Sequence, residues 1–529
     1  YMNPSPQFAM DKAYIVIVSF PFLLLALLHY YILGKISNGR RSRKDAVQQP
    51  PSLRAIPFLG HLHLVGKPFH ASLWRLAARL GPVYSLRLGS RRAVVVSSSE
   101  CATECFTEHD VTFANRPRFP AQLLVSFDGT ALVTSSYGPH WRNLRRVAAV
   151  HLLSTNRVAG MSGVIAAEVR AMAHRLCRAA AAAPGGAARV HMKRTLFQLS
   201  LSVLMETIAH TKGTRSEADA DTDMSVEAQE FKKVIDRIVP HLGAANMWDY
   251  LPVMQWFDVF GIRNKILDAV SRRDAFLRQL IGAVRRRLAD GGSDGDKKSM
   301  IAVLLTLQKT EPEVYNDTMI TALCANLIGA GTETTSTMTE WAMSLLLNHP
   351  AVLEKAQAEI DALIGTSRLV SADDVTRLAY LQCIVSETLR LYPAAPTLLP
   401  HLSSADSNVG GYNVPRDTML IVNAYAIHRD PVAWEDPLEF RPERFVDGKA
   451  DGLFMIPFGM GRRRCPGKTL ALRMIGMALA TLVQCFDWER VDGMEVDMTE
   501  GGGLTIAKVV PLEAVCRPRV VMRDVLQNF

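Results

Sequence analysis

At 529 residues the chain has room for about three domains at ~150 residues each, yet it shows no internal repeat and no linker after the proline-rich stretch Gln49-Pro50-Pro51-Ser52, so one large domain is expected. The formal net charge of +9 is gathered early: residues 35–54 hold Lys35, Arg40, Arg41, Arg43, Lys44 and Arg54 against Asp45, a distribution that suits a membrane surface and argues against nucleic acid. Eight scattered cysteines, without a C-x-x-C pair or a histidine cluster, exclude a disulfide framework and a zinc site.

Residues 13–34 carry no charged side chain and match the ~20 apolar residues that cross a bilayer. The basic residues that follow predict a cytosolic flank, hence a lumenal tail over 1–12, an uncleaved anchor over 13–34, a basic, proline-containing hinge over 35–60 and a catalytic domain over 61–529 facing the cytosol. A cleaved secretory signal is disfavoured, because the apolar core is too long and no small-x-small site precedes the basic run. Met10-Asp11-Lys12 reads as an initiator, with residues 1–9 an upstream extension.

Beyond the hinge, 83–88 and 92–96 are strand-like, and Cys101 and Cys105 are spaced to share a helical face. Trp141 and Arg145 stand four apart, on one face of a helix, where an indole N–H and a guanidinium suit a carboxylate. An ordinary surface helix has the same pattern. The stretches 212–224 and 289–298 read as exposed loops, and long apolar-periodic segments between and after them predict a mainly helical protein with minor sheet. Residues 319–347 form an apolar helix interrupted by Gly329-Ala330-Gly331-Thr332-Glu333-Thr334-Thr335, which should loosen it. A glutamate there is costly unless it is hydrogen-bonded or functional. Glu387 and Arg390 pair at i,i+3 on a helix that Pro393 ends.

The most informative segment is Phe458-Gly459-Met460-Gly461-Arg462-Arg463-Arg464-Cys465-Pro466-Gly467, before an apolar run of helical length from 468 to about 486. Cys465 therefore sits at or just before a helix N-terminus, where unpaired N–H groups favour a thiolate and hence metal ligation. Gly461 and Gly467 permit a tight turn, and Pro466 fits the first helical position. A buried free cysteine is the plain alternative.

Phe458, Gly461, Arg463, Cys465 and Gly467 fill every fixed position of F-x-x-G-x-R-x-C-x-G, so the segment resembles the cysteine loop of the cytochrome P450 family of haem-thiolate monooxygenases. The resemblance covers the chain from Pro50 onward and implies that family's fold, mainly α with a minor β-sheet region. It implies haem b (iron-protoporphyrin IX) with Cys465 as axial ligand of the iron. Trp141, Arg145, His401 and Arg463 become partners of the haem propionates. Glu333 and Thr334 match the acid and alcohol of A/G-G-x-D/E-T, which carry protons to the oxygen-activating centre, and Arg444 of Pro442-Glu443-Arg444-Phe445 completes a structural network with Glu387 and Arg390.

Electrons would come from NADPH through a membrane-bound NADPH-cytochrome P450 reductase, with cytochrome b5 as a further partner; Arg142, Arg146, Arg462, Arg464 and Lys468 suit an acidic redox partner. The arrangement resembles plant microsomal enzymes of specialised metabolism at the endoplasmic reticulum. More narrowly, Thr134-Ser135-Ser136-Tyr137-Gly138-Pro139-His140-Trp141-Arg142 and Gly501-Gly502-Gly503-Leu504-Thr505 look like the isoflavone hydroxylase-like group and its herbicide-oxidising grass relatives. Substrate contacts are expected from the loop before Trp141 and from 325–330, 394–399 and 504–506. These segments are small or apolar, suit a lipophilic aromatic guest and offer no cation to an acidic one. A haem-thiolate isomerase or dehydratase and a non-enzymatic haem sensor are the rival functions; the acid and alcohol argue against both.

Overall fold

Helices carry most of the structure, a computed structural model that describes residues 48–527 apart from 212–223, 245, 257, 259–260, 294, 296–297, 449 and 451–453. The expected membrane span, its basic flank and most of the 212–224 loop lie outside the described residues. The longest helix, Asp317–Asn348, starts where the Asn316 side chain accepts the Met319 N–H, with Asp317 favourable in the first turn. Its sequence is apolar nearly all round, so it is buried nearly all round. It packs against Met192–Ala209, and Gly331 permits the approach: a Cβ there would stand 2.8 Å from Leu204 Cδ1.

The helix is continuous through 329–335 and not loosened as its composition suggests. The threonine hydroxyls do bond back, Thr334 Oγ1 to the Ala330 carbonyl at 2.6 Å and Thr339 Oγ1 to Thr335 at 3.0 Å, but they share carbonyls without displacing the helical bonds. Burial on both sides outweighs the propensity cost.

A second core helix, Lys468–Cys485, begins where expected, two residues after Pro466, which therefore precedes the N-cap Gly467 and is not the first helical residue. Among the described residues it is the one helix long and apolar enough to cross a membrane, but it is mostly buried within the protein. Cys485 runs directly into strand Phe486–Arg490.

The largest sheet places side by side, in order, Val83–Leu88, Arg91–Val96, Met419–Val422 and His401–Leu402. β1 (Val83–Leu88) and β2 (Arg91–Val96) form an antiparallel hairpin, close to the expected strands, while the strand Met419–Val422 runs parallel to β2. The two-residue strand His401–Leu402 pairs antiparallel with Met419–Val422 and fixes His401 opposite Leu420. A three-stranded sheet joins Ala188–His191, Glu513–Pro518 and Phe486–Arg490, and a hairpin pairs Ser407–Val409 with Tyr412–Val414.

Candidate active site

The long helix, the cysteine loop and the helix Pro139–Ala148 enclose an internal cavity. At its floor the Cys465 N–H donates to the Phe458 carbonyl at 2.8 Å and the Arg464 N–H to Gly461 at 3.1 Å, closing the loop. Gly461 has φ +66°, and a Cβ there would meet Asp110 Oδ1 at 2.5 Å and the Phe106 carbonyl at 2.8 Å, so only glycine fits. Cys465 is surrounded by protein, and its accessible surface opens on the cavity. Burial pushes its thiol up, whereas the Gly467 N–H, the Arg145 and Arg464 guanidiniums and the Lys468 N–H pull it down. The same four groups favour a thiolate once a metal offsets the burial.

Trp141, Arg145, His401, Phe458, Arg463 and Gly467 line the cavity with Cys465, whereas Gly461 does not. Their hydrogen bonds sort them further. Arg463 donates to the carbonyls of Ala114 (2.7 Å) and Ser135 (2.6 Å) and lies 4.4 Å from the Trp141 ring centroid. The Trp141 indole N–H is spent on the Leu132 carbonyl at 3.1 Å. Arg145 has no carboxylate partner among the described residues. His401 Nδ1 lies 2.6 Å from the Phe113 carbonyl, and burial, with Arg116 and Arg463 nearby, holds its imidazole well below its ordinary value. Neutral His401 then donates from Nδ1 and leaves Nε2 without a proton.

Arg116 is a third cationic wall residue, one that the sequence did not single out. It is buried, and it donates to the carbonyls of Leu399 (2.7 Å), Pro400 (2.8 Å) and Val133 (3.3 Å). It lies outside the expected substrate segments, which carry no Lys or Arg of their own. Among the described lining residues there are three arginines and no Asp or Glu, and most of the remaining wall is apolar. Such a wall asks for a large apolar guest bearing negative charge, and the Cys465 sulfur asks for a metal. Haem, a flat apolar ring with two carboxylates and a central iron, fits both demands.

Opposite the cysteine the long helix presents Asn326, Leu327, Ala330, Gly331, Thr334, Thr335 and Met338, one face repeating every turn. Thr334 is half-buried and lines the cavity. Glu333 is not part of that face, since adjacent helical residues point about 100° apart. It is buried behind the helix, where Lys193 donates to its Oε1 at 2.9 Å and to Thr337 Oγ1 at 2.6 Å, while its Oε2 has no hydrogen-bond partner. Lys193 lies 140 residues away in sequence, so no local pattern could announce the pair.

Of the expected substrate segments, the loop before Trp141 (Leu132, Val133), part of 325–330 and part of 394–399 line the cavity. Segment 504–506 does not. Ile506 instead donates its N–H to the Ala394 carbonyl (3.1 Å) and accepts the Trp341 indole N–H (2.6 Å), bracing the wall from outside. Phe106, Leu152, Leu153 and Leu204 also line the cavity; in sequence they are ordinary core residues.

The profile of the family described as cytochrome P450 matches residues 50–512. The chain is 42% identical to cytochrome P450 81Q32 of Catharanthus roseus, over 96% of this chain and 98% of that one. It is 39% identical to the (+)-piperitol/(+)-sesamin synthase of Sesamum radiatum, over 94% and 96%, and 38% identical to the isoflavone 2'-hydroxylase of Glycyrrhiza echinata, over 97% and 99%. A zebra fish cytochrome P450 solved with progesterone superposes with a TM-score of 0.72 at 25% identity, covering 86% of this chain and 100% of that chain.

Proposed function

The chain belongs to the cytochrome P450 family and is a haem-thiolate monooxygenase, and from that premise we propose that it hydroxylates or dealkylates small lipophilic aromatic compounds, flavonoid-like metabolites and herbicides among them. The observation that carries the substrate class is the apolar cavity wall facing Cys465, where Leu132, Val133, Leu327, Ala330 and Leu399 leave buried area as the main source of affinity, at roughly 25 cal/mol per Å². The names of the relatives, an isoflavone 2'-hydroxylase and a (+)-piperitol/(+)-sesamin synthase, support it.

Bound haem b would supply the one-electron and oxygen chemistry, which thiolate ligation favours. The chain's residues do the rest. Cys465 would ligate the iron from the loop, Arg145, Arg463 and Arg116 would neutralise the propionates, and His401 would join them as a donor once those carboxylates raised its basicity. The Thr334 hydroxyl, bonded to the Ala330 carbonyl, holds a proton at the cavity surface. Glu333, tied to Lys193, stands behind it with a free carboxylate oxygen that can take up and pass on a proton. The apolar wall excludes bulk water.

Replacing Thr334 by Ala tests this proton path. Haem content and substrate affinity should persist, while product formed per NADPH falls by up to ~10²-fold and hydrogen peroxide rises to match the loss. Unchanged coupling would remove the hydroxyl from the mechanism.

Electrons are proposed to come from NADPH through NADPH-cytochrome P450 reductase, with cytochrome b5 as a second donor. Arg142, Arg146 and Arg464 are exposed and suit an acidic partner, whereas Arg462 is already committed to Asp110 (2.8 Å) and the Tyr137 hydroxyl (2.8 Å). The proposed setting is the endoplasmic reticulum, with 1–12 lumenal, 13–34 spanning, 35–60 the hinge and 61–529 cytosolic. In support, Ile56, Phe58, Met247, Val253 and Trp256 are exposed apolar side chains, Trp256 by 77%. Their segments meet at the β1–β2 turn, where Gly89 bonds Leu59 and Ser90 bonds Tyr250.

Protein lacking 13–34 should accordingly remain partly bound to membranes, released in part by high salt and fully by detergent. A catalytic domain protected from protease in intact microsomes would overturn the topology.

A further inference from the structure

Asn326 stands out on the cavity face of the long helix because its amide is half used. Its Oδ1 accepts the Val133 N–H at 3.0 Å, and a backbone N–H can only donate, so the oxygen must face the loop and the amino group must face away. Nδ2 has no acceptor among the described residues, and it is not a sealed, unpaired atom; it opens on the cavity that Asn326 lines. Around it the wall is apolar: Leu132, Val133, Leu327 and Ala330. Along the helix Asn326 lies eight residues before Thr334, or ~12 Å at 1.5 Å per residue. The donor therefore sits at the opposite end of a guest whose reacting carbon lies beside Thr334.

We propose that Asn326 is a specificity-determining hydrogen-bond donor, and that the preferred substrate is an aromatic compound bearing an acceptor oxygen, such as a ring carbonyl, on the end remote from the carbon oxidised. This rests on the aromatic-substrate reading and sharpens it. Apolar walls hold a flat guest without fixing its direction, whereas one donor at a set distance fixes which end points at the reacting centre. The acceptor thereby selects the position oxidised.

Flavanone and flavan, which differ in one ring carbonyl on the side away from the phenyl group, test this in a two-by-two cycle on the holoenzyme. Binding is read from the ligand-induced change in the haem absorption band. Wild type should bind flavanone about tenfold more tightly than flavan, ~1.4 kcal/mol. In Asn326→Leu that ratio should fall to about one while flavan affinity is kept, and flavanone should give a broader mixture of oxidised positions. Asn326→Ala serves the same cycle if the leucine variant fails to load haem. If both ligands weaken together and the ratio persists, Asn326 only anchors the Val133 loop and the proposal is wrong. Equal binding of the two by wild type also overturns the donor while leaving the aromatic reading intact. Failure of wild type to bind either removes the aromatic reading and the donor with it.

Discussion

Cys465→Ala yields a folded protein that retains no haem and shows no red-shifted ferrous–carbon monoxide band. Cys465 is the one cysteine lining the cavity among the described residues. The other cysteines lack its surroundings: burial lifts the thiols of Cys324, Cys485 and Cys516 to about 12 and that of Cys105 higher still, so they stay protonated at neutral pH. Around Cys465 two backbone N–H groups and two guanidiniums oppose the burial. Its side chain faces open space and packs little, so the haem-free variant should melt close to haem-free wild type, within the ~0.5 kcal/mol typical of exposed substitutions. That comparison separates loss of a ligand from loss of a fold. Persistence of the band would assign the iron to another residue.

What was legible in the sequence was what is local. The cysteine loop and its helix are contiguous, and turn glycines, N–H groups and thiol all fall within ten residues, so spacing alone placed them. Glu387 and Arg390 are one helical turn apart, and the face shared by Trp141 and Arg145 follows from a four-residue interval. What escaped notice depends on distant segments. Arg116 becomes a wall residue through carbonyls 283 and 284 positions away. Glu333 lies off the cavity face, where Lys193, on another helix, meets one of its carboxylate oxygens. Adjacency in the motif suggested that Glu333 and Thr334 act on one space, but helical geometry sends neighbouring side chains to different faces. The long helix also stays regular against its own composition, because its propensities are small beside the packing of Gly331 on Leu204 and of the buried faces on either side.

Glu387→Ala should be the most destabilising single change away from the cavity, by ~3–5 kcal/mol. Glu387 and Arg390 are both fully buried, and Arg390 donates to the two carboxylate oxygens at 2.6 and 2.8 Å. The Arg444 side chain (3.2 Å) and the Arg441 N–H (2.9 Å) also reach Glu387 Oε1, as E-x-x-R with P-E-R-F predicts. Arg390 further binds the carbonyls of His428, Pro437 and Glu439. His428 is kept neutral by burial, its pKa lowered to about 3, so one tautomer serves both its contacts. Its Nδ1 meets the Arg390 carbonyl at 3.2 Å and its Nε2 accepts the Ile456 N–H at 2.9 Å, at the start of the segment that leads into the cysteine loop. Removing the carboxylate strands a buried guanidinium and loosens this chain of contacts, so haem retention should fall together with the melting temperature. Arg444→Ala should cost less, because Glu387 keeps its bidentate partner. Replacing Glu387 and Arg390 together by Leu and Met should recover part of the stability lost by Glu387→Ala, since no uncompensated charge remains. A Glu387→Ala protein as stable as wild type, or a double variant no better than the single one, would show that the network does not brace the loop.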